Sequence, residues 1–368
     1  MFYKDFHGDK LSALGLGALR FPAEAGAPDR LLRGQGQSII DAALARGINY
    51  IDSAYSYQNG DSERLLGEAL EKYPRDSYYL GTKFSLSVTS DIQAAFDEQR
   101  RRLRTDYFDF YMLHWLHEGS IQAYTDKGKD YIGFLRKQKE AGRIGHIGFS
   151  SHAAPETLER FLDYDDGYDM AVIQLNYLDW TLLDAKRQYE ILTQHHIPIW
   201  VMEPLKGGRL ADLGIQANAV LKAAAPARSI PSWGLRWLMG LPNVQVVMSG
   251  MASTAQVNDN ADTFSCLDPL SLAEQAALDE ASALFLRTMG VPCSGCRYCC
   301  KTCPAGLDIP LLIKGYNEAK LGGGVWKLAS LCSAKSPAAC LQCGACARHC
   351  PQKINIPKIM AELSKNCT

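Results

Sequence analysis

Two stretches near the C-terminus space their cysteines identically: Cys293, Cys296, Cys299 and Cys303 before Pro304, and Cys340, Cys343, Cys346 and Cys350 before Pro351. Each spells C-x2-C-x2-C-x3-C-P. Thiolates this dense suit a polynuclear iron–sulfur cube, which takes several closely spaced sulfurs at its corners. A structural zinc site is the alternative, but zinc usually draws on two C-x2-C pairs set well apart. Eleven of the twelve cysteines, all but Cys266, lie from Cys293 onward. The polar start Met1–His7 has no apolar leader pattern. A cytoplasmic chain with reduced thiols is therefore expected rather than a disulfide scaffold.

The two runs resemble those of bacterial ferredoxins. The resemblance implies two [4Fe–4S] clusters with crossed ligation: Cys293, Cys296 and Cys299 with Cys350, and Cys340, Cys343 and Cys346 with Cys303. Helical patterns at 307–320, 325–332 and 357–365 make the segment similar to α-helical ferredoxins rather than to the two-hairpin type. Cys266, Cys300, Cys332 and Cys367 fall outside the spacing and read as ordinary thiols, and His349 as a solvated side chain.

A second set of residues stands at the ends of apolar runs: Asp52, Lys83 and His114, with Tyr57 shortly after the first. Singly, each has a bland reading as a cap, a packed ring or a solvated charge. Together they make a general acid. A tyrosine hydroxyl titrates near 10, too high to exchange protons readily at neutrality. A neighbouring ammonium lowers that value, a carboxylate keeps the ammonium charged and in place, and an imidazole can orient a carbonyl oxygen.

The elements needed to position these groups are legible as eight apolar runs: Ser12–Leu16, Ile48–Asp52, Tyr78–Lys83, Asp109–His114, His146–Ser150, Met170–Asn176, Pro198–Met202 and Val244–Ser249. Near-continuous apolar runs are the mark of parallel strands buried on both faces. Helical patterns fall between them at 37–46, 62–73, 91–103, 132–141 and 155–162. The predicted fold is an α/β (β/α)8 TIM barrel followed by a small, mainly α-helical iron–sulfur domain, with residues 1–287 in the first and 288–368 in the second. Ser271–Glu274 reads as a capping box opening a helix that closes the barrel. Arg100–Arg102 reads as a solvated helix face, and His152, His195 and His196 as surface or packing residues.

Lys plus Arg number 39 and Asp plus Glu 40. That balance gives no reason to expect a nucleic-acid or anionic-membrane partner, and no apolar run nears the ~18 residues of a membrane span.

Gly47–Ala54 with Tyr57, Gly81–Lys83, Asp106–His114 and Gly142–Ser150 resemble the aldo-keto reductase superfamily, in order and spacing, over roughly residues 10–265. The resemblance implies Tyr57 as proton donor, Lys83 and Asp52 as its tuners and His114 as the carbonyl-orienting group. It also implies direct hydride exchange between NAD(P)H and an aldehyde or ketone. By the same resemblance Ser150 and Gln174 meet the nicotinamide carboxamide. Glu203, Leu205 and Gly207 belong to the loop that wraps the pyrophosphate, and Gly250, Gln256 and Asn260 to the adenosine segment. Ser151 replaces the usual Asn beside Ser150, and Met202 stands where many members stack an aromatic ring. The absence of Lys or Arg at 250–256 tilts the expectation toward NADH.

A nicotinamide carries two electrons as hydride and a [4Fe–4S] cluster carries one; a flavin usually stands between such carriers, and no flavin motif is found. Three expectations follow. The first is a carbonyl reductase or alcohol dehydrogenase with structural clusters. The second is an enzyme whose clusters relay electrons from a ferredoxin-like partner. The third is a binding module that only reports redox state. The intact tetrad argues against the third. Trp115, Tyr55 and Trp180 are candidates to line the substrate pocket, with core packing the alternative for each.

Overall fold

The computed structural model describes residues 1–320 and 335–365, with side chains through 317 and again from 335. By packing, the chain divides into two units. One comprises Met1–Leu205 with Pro231–Ser271, the other Lys206–Ile230 with Leu272–Thr368.

The first unit begins with an antiparallel hairpin, β1 (Tyr3–Phe6) and β2 (Asp9–Ser12), and then enters a closed parallel barrel with β3 (Leu14–Gly17). A small hairpin, β4 (Ala23–Glu24) and β5 (Ala27–Leu31), precedes the first long helix. The remaining barrel strands are β6 (Tyr50–Asp52), β7 (Tyr79–Phe84), β8 (Phe108–Leu116), β9 (Ile144–Ser151), β10 (Met170–Gln174), β11 (Ile199–Met202) and β12 (Val244–Ser249). All eight expected runs are barrel strands. The first differs in detail, because Ser12 pairs within the N-terminal hairpin and the barrel strand starts at Leu14.

The apolar runs are continuous because both faces of each strand are buried. On β8, Phe110 and Met112 point into the barrel interior, while Phe108, Tyr111 and Leu113 join the outer core beneath the helices. On β10, Met170 and Val172 point inward, Ala171 and Ile173 outward. Trp200 fills the interior from β11 and meets Phe6 of the hairpin, ring centroids 4.9 Å apart. His146, near the start of β9, bonds Asp9 at 2.8 Å. The hairpin thus plugs the end of the barrel where the strands begin and leaves the end where they finish for chemistry.

The capping-box helix, Leu272–Thr288, does not close the barrel as expected. Closure comes from strand pairing, with Val247 opposite Leu14. The helix packs on Ile215–Ala224 and belongs to the second unit. Further on, that unit carries helices Ile309–Lys320 and Ile356–Ser364 around a core of Leu307, Ile313, Ile356 and Met360. These match the expected helices at 307–320 and 357–365; the one expected at 325–332 lies outside the described residues, as do Cys332 and Cys367.

Candidate active site and cluster-binding segment

β6, β7 and β8 are consecutive neighbours in the barrel, with Asp52 opposite Gly81 and Lys83 opposite Met112. Their ends therefore bring Asp52, Lys83 and His114 side by side although up to 62 residues separate them in sequence. Lys83, 2% exposed, donates to Asp52 Oδ2 and, at 2.7 Å, to the Ser53 carbonyl. Burial raises the Asp52 carboxyl and lowers the Lys83 ammonium from their ordinary values. Each shift is opposed by the partner's charge, and that of Lys83 also by Glu63. Asp52 Oδ1 is buried without a hydrogen-bond partner among the described residues.

Tyr57 opens a short 3-10 turn, Tyr57–Gly60, in which Gln58, Asn59 and Gly60 all have left-handed φ (43°, 51° and 84°). Two non-glycine residues in that region cost about 1 kcal/mol each; the turn is held partly by Gln58 donating to the Leu19 carbonyl at 2.7 Å. It sets the Tyr57 ring with its centroid 5.3 Å from Lys83 Nζ and edge-on to His114, at 5.7 Å between centroids. His114 is fixed from behind, since Tyr124 donates to its carbonyl at 2.6 Å. The four predicted residues form one cluster.

Behind it lies a network with no sequence signal. Glu63, fully buried on the helix Asp61–Leu70, accepts from Thr82 Oγ1 at 2.7 Å and Gln99 Nε2 at 2.6 Å, and pairs with Arg102 at 3.1 Å. Gln99 also donates to the Lys83 carbonyl, and Arg102 donates to the Tyr55 carbonyl and lies over the Tyr55 ring. Arg102 is thus a correction to the expected solvated helix face: its side chain is 12% exposed and ties the Tyr57 loop to the barrel. Of the aromatic candidates for the pocket, Trp180 packs against Tyr189 and Trp237.

The nucleotide candidates sit on the next strands. Ser150 accepts from the Trp115 N–H at 2.8 Å, which leaves its own hydrogen to donate. Trp115 itself takes a left-handed φ of 64° at that point. Gln174 and Asn176 both donate to Asp179 Oδ2, at 2.7 and 2.6 Å, and His152 bonds Gln174. Burial pushes the His152 imidazole down to about 4, with His117 adding repulsion, against the Gln174 bond. Asn260 donates to Ser249 at 3.0 Å, and Gln256 accepts from Ala252 N at 2.7 Å. Sequence reading found no cation at 250–256, yet Arg20 from the turn after β3 lies against Gly250, where a β-carbon would stand 2.5 Å from its Cγ. Contact across 230 positions leaves no trace in local spacing. A hydroxyl donor at Ser150 and an amide at Gln174, on adjacent strands, fit a carboxamide.

The loop after β11 is irregular: Glu203 and Lys206 have left-handed φ, as do Gly207 and Gly208, and Leu205 lies among them. Within the second unit, Gly207 makes its close approach to the carbonyl of Ser294, where a β-carbon would stand 2.1 Å from the oxygen. Lys206, buried, donates to Gln352 Oε1 at 2.6 Å, and Arg209 to the Met289 carbonyl at 2.5 Å. This turn, Lys206–Ala211, therefore packs on the first cysteine loop.

The cysteine segment is a structural repeat with an offset of 47 residues. Helix Tyr298–Lys301 matches Ala345–Arg348, and Ile309–Lys320 starts in step with Ile356–Ser364. Left-handed φ recurs at equivalent positions: Gly295 and Gln342, Arg297 and Gly344, Gly306 and Lys353. The helix caps recur too, with Asp308 accepting from Leu311 N and Asn355 from Lys358 N. Two small cavities result. Cys293, Cys296, Cys299 and Cys350 line one; Cys303, Cys340, Cys343 and Cys346 line the other. Among the described residues no three Cys, His, Asp or Glu side chains gather around one point as a single ion would require. Four thiols around each cavity, sorted across the two runs, fit a cluster that takes its fourth ligand from the other run.

No helix among the described residues is long and apolar enough to cross a membrane. Residues 13–283 match the aldo/keto reductase family, and residues 292–354 match the 4Fe-4S dicluster domain. The chain is 26% identical over 338 residues to the NADH-specific methylglyoxal reductase of Escherichia coli, spanning 76% of this chain and 94% of that one. It is 31% identical over 252 residues to an aldo-keto reductase of Mycolicibacterium vanbaalenii, spanning 66% and 81%. Among solved structures it resembles an aldo-keto reductase from Klebsiella pneumoniae in complex with NADPH, with a TM-score of 0.62 and 25% identity over 76% of this chain and 95% of that one. Barrel, strand-end cluster and sequence relationship converge: the chain belongs to the aldo/keto reductase family and carries a 4Fe-4S dicluster segment after its reductase region.

Proposed function

We propose that this NAD(P)-dependent oxidoreductase interconverts an aldehyde or ketone and its alcohol, with Tyr57 as the general acid and base. The observation that carries the reading is the buried Lys83 ammonium, shared between Asp52 and the Tyr57 ring beside His114. Reduced nicotinamide, when bound, supplies a hydride to the carbonyl carbon. Tyr57 gives its phenolic proton to the carbonyl oxygen, so hydride and proton together complete the alcohol. Lys83 stabilises the phenolate left behind, and Asp52 keeps Lys83 charged despite burial. His114 directs the carbonyl oxygen toward Tyr57. Ser150 and Gln174 would hold the carboxamide. Glu203, Leu205 and Gly207 would serve the pyrophosphate, and Gly250, Gln256 and Asn260 the adenosine. The Escherichia coli relative is named for NADH and the Klebsiella structure holds NADPH; Arg20 beside Gly250 supplies a guanidinium to a segment with no cation of its own.

The same reading places two [4Fe–4S] clusters on the eight cysteines, one per cavity. It assigns hydride chemistry to residues 1–287 and cluster binding to 288–368, a division by chemistry rather than by packing. A second reading, favoured by the separate four-thiol cavities, is that the clusters pass single electrons between a ferredoxin-like partner and the reductase site.

Two measurements test these readings. Tyr57→Phe should lower carbonyl reduction by about 10³-fold while leaving nucleotide affinity intact; unchanged turnover would remove Tyr57 from the mechanism. In an anaerobic EPR titration, reduced-cluster signals produced by NADH or NADPH alone support the relay. Signals that need dithionite leave the clusters structural or served by another donor.

A further inference from the structure

The two halves of the cysteine repeat are alike in backbone but not in cover. Ser294, which lines the first cavity, is 3% exposed beneath Gly207, and Gln352 on the same wall is held by Lys206. At the position equivalent to Ser294 the second half has Leu341, which is 67% exposed. Cys343 is exposed as well, whereas its counterpart Cys296 is half-buried.

Positive charge is concentrated in this segment as a whole. The overall balance of −1 conceals a segment, 288–368, with ten Lys and Arg against three Asp and Glu, while the rest of the chain carries 29 against 37. Three of those cations lie next to residues of the second cavity's lining or of its cysteine run. Lys335 brings its ammonium beside Gly306, three residues after Cys303, and Arg348 lies beside Gly344, next to Cys343. Lys358 is exposed immediately after Pro357, which lines the cavity wall. An exposed leucine in the lining of a four-thiol cavity, with cations nearby, is the form expected of a transient docking site for a carrier of opposite charge.

We propose that the face formed by Leu341, Cys343, Lys335, Arg348 and Lys358 docks an acidic one-electron carrier protein, which exchanges electrons with the cluster held by Cys303, Cys340, Cys343 and Cys346. The proposal rests on the reading of that cavity as a cluster site. Each encounter moves one electron: the carrier is oxidised by one, the cluster reduced by one, and no bond is made or broken. Two encounters deliver two electrons, which together with one proton taken from solvent make up the hydride that converts NAD(P)⁺ to NAD(P)H.

The test uses the anaerobic, iron-replete full chain, with an acidic plant-type [2Fe–2S] ferredoxin as probe carrier and basic cytochrome c and a DNA oligonucleotide as controls. Affinity is read by calorimetry, and cluster reduction by stopped-flow absorbance and EPR. Both should fall at least about tenfold between low salt and ~0.3 M salt, where screening sets in within a few ångströms. They should fall comparably at low salt in the triple variant Lys335→Glu, Arg348→Glu, Lys358→Glu, and cytochrome c should show no such dependence. Ferredoxin affinity and rate indifferent to both salt and charge reversal overturn the proposal, as does tight oligonucleotide binding abolished by the same variant. So does a variant whose cluster potential shifts while carrier affinity holds, since the cations then serve the cluster alone. If the variant loses iron, the salt dependence of the unmodified chain decides the matter. Failure of the relay reading is distinguishable: ferredoxin would then dock and reduce the cluster, yet no NAD(P)H would form from NAD(P)⁺.

Discussion

The reductase site and the cysteine segment are built by opposite strategies. In the barrel, Asp52, Lys83 and His114 are distant in sequence and meet only because β6, β7 and β8 are neighbours. In the cysteine segment, three thiols of each cavity come from seven consecutive residues, and the same local backbone is used twice. The first site is a product of topology, the second of spacing. A change in the barrel should therefore act through packed neighbours, whereas one among the cysteines should act on one cavity at a time.

The sharpest test of this contrast is Lys83→Met, which removes the charge shared by Asp52 and Tyr57. Carbonyl reduction should fall by about 10³-fold with iron content unchanged; parallel loss of iron would show the two regions to be one cooperative body. Next in size is Cys303→Ser. Crossed ligation predicts loss of about four of eight irons, and spectroscopically of the cluster belonging to the second run although the change lies in the first. Retention of that cluster breaks the crossed arrangement.

Glu63→Ala probes the barrel's dependence on long-range support. Removing a buried carboxylate from Arg102, Gln99 and Thr82 should cost about 3 kcal/mol, seen as a lower thermal midpoint of the barrel, with the iron–sulfur absorbance retained. A loss below ~0.5 kcal/mol would mean the network is dispensable.

The smallest effect is at His152. Its unfolded imidazole takes up a proton near the ordinary 6.5, the folded one only near 4. Between these values the unfolded state holds more protons, so the contribution is complete above 6.5 and declines as pH falls. From pH 7 to 5 the decline should be at most ~2 kcal/mol, and His152→Gln should flatten that part of the stability profile; an equal slope in the variant removes His152 as its source.

The contrast also explains what sequence revealed. The eight strands were legible because burial on both faces makes them continuously apolar, and the cysteines because their spacing is local. The tetrad required both the strand reading and the family resemblance, since neither Asp52 nor His114 is distinctive alone. The hairpin Tyr3–Ser12 escaped notice because its few apolar residues, such as Phe6 and Leu11, become meaningful only as a plug against Trp200. Glu63, Gln99 and Arg102 escaped because polar residues on helices ordinarily face water, and only the fold turns these three toward one another. Arg20 and Gly250 meet through closure of the barrel, which no window along the chain can anticipate.

Gly207 bears on how such a chain could be assembled or rebuilt. Its contact with Ser294 makes the turn at 206–211, which lies within the reductase stretch of the sequence, part of the packing of the cysteine loop. The iron–sulfur segment is therefore not a detachable cassette beginning near residue 288. Grafting it onto another barrel would require transplanting 206–230 and 272–287 along with it. A lineage acquiring it by fusion would have had to remodel an internal loop to receive it.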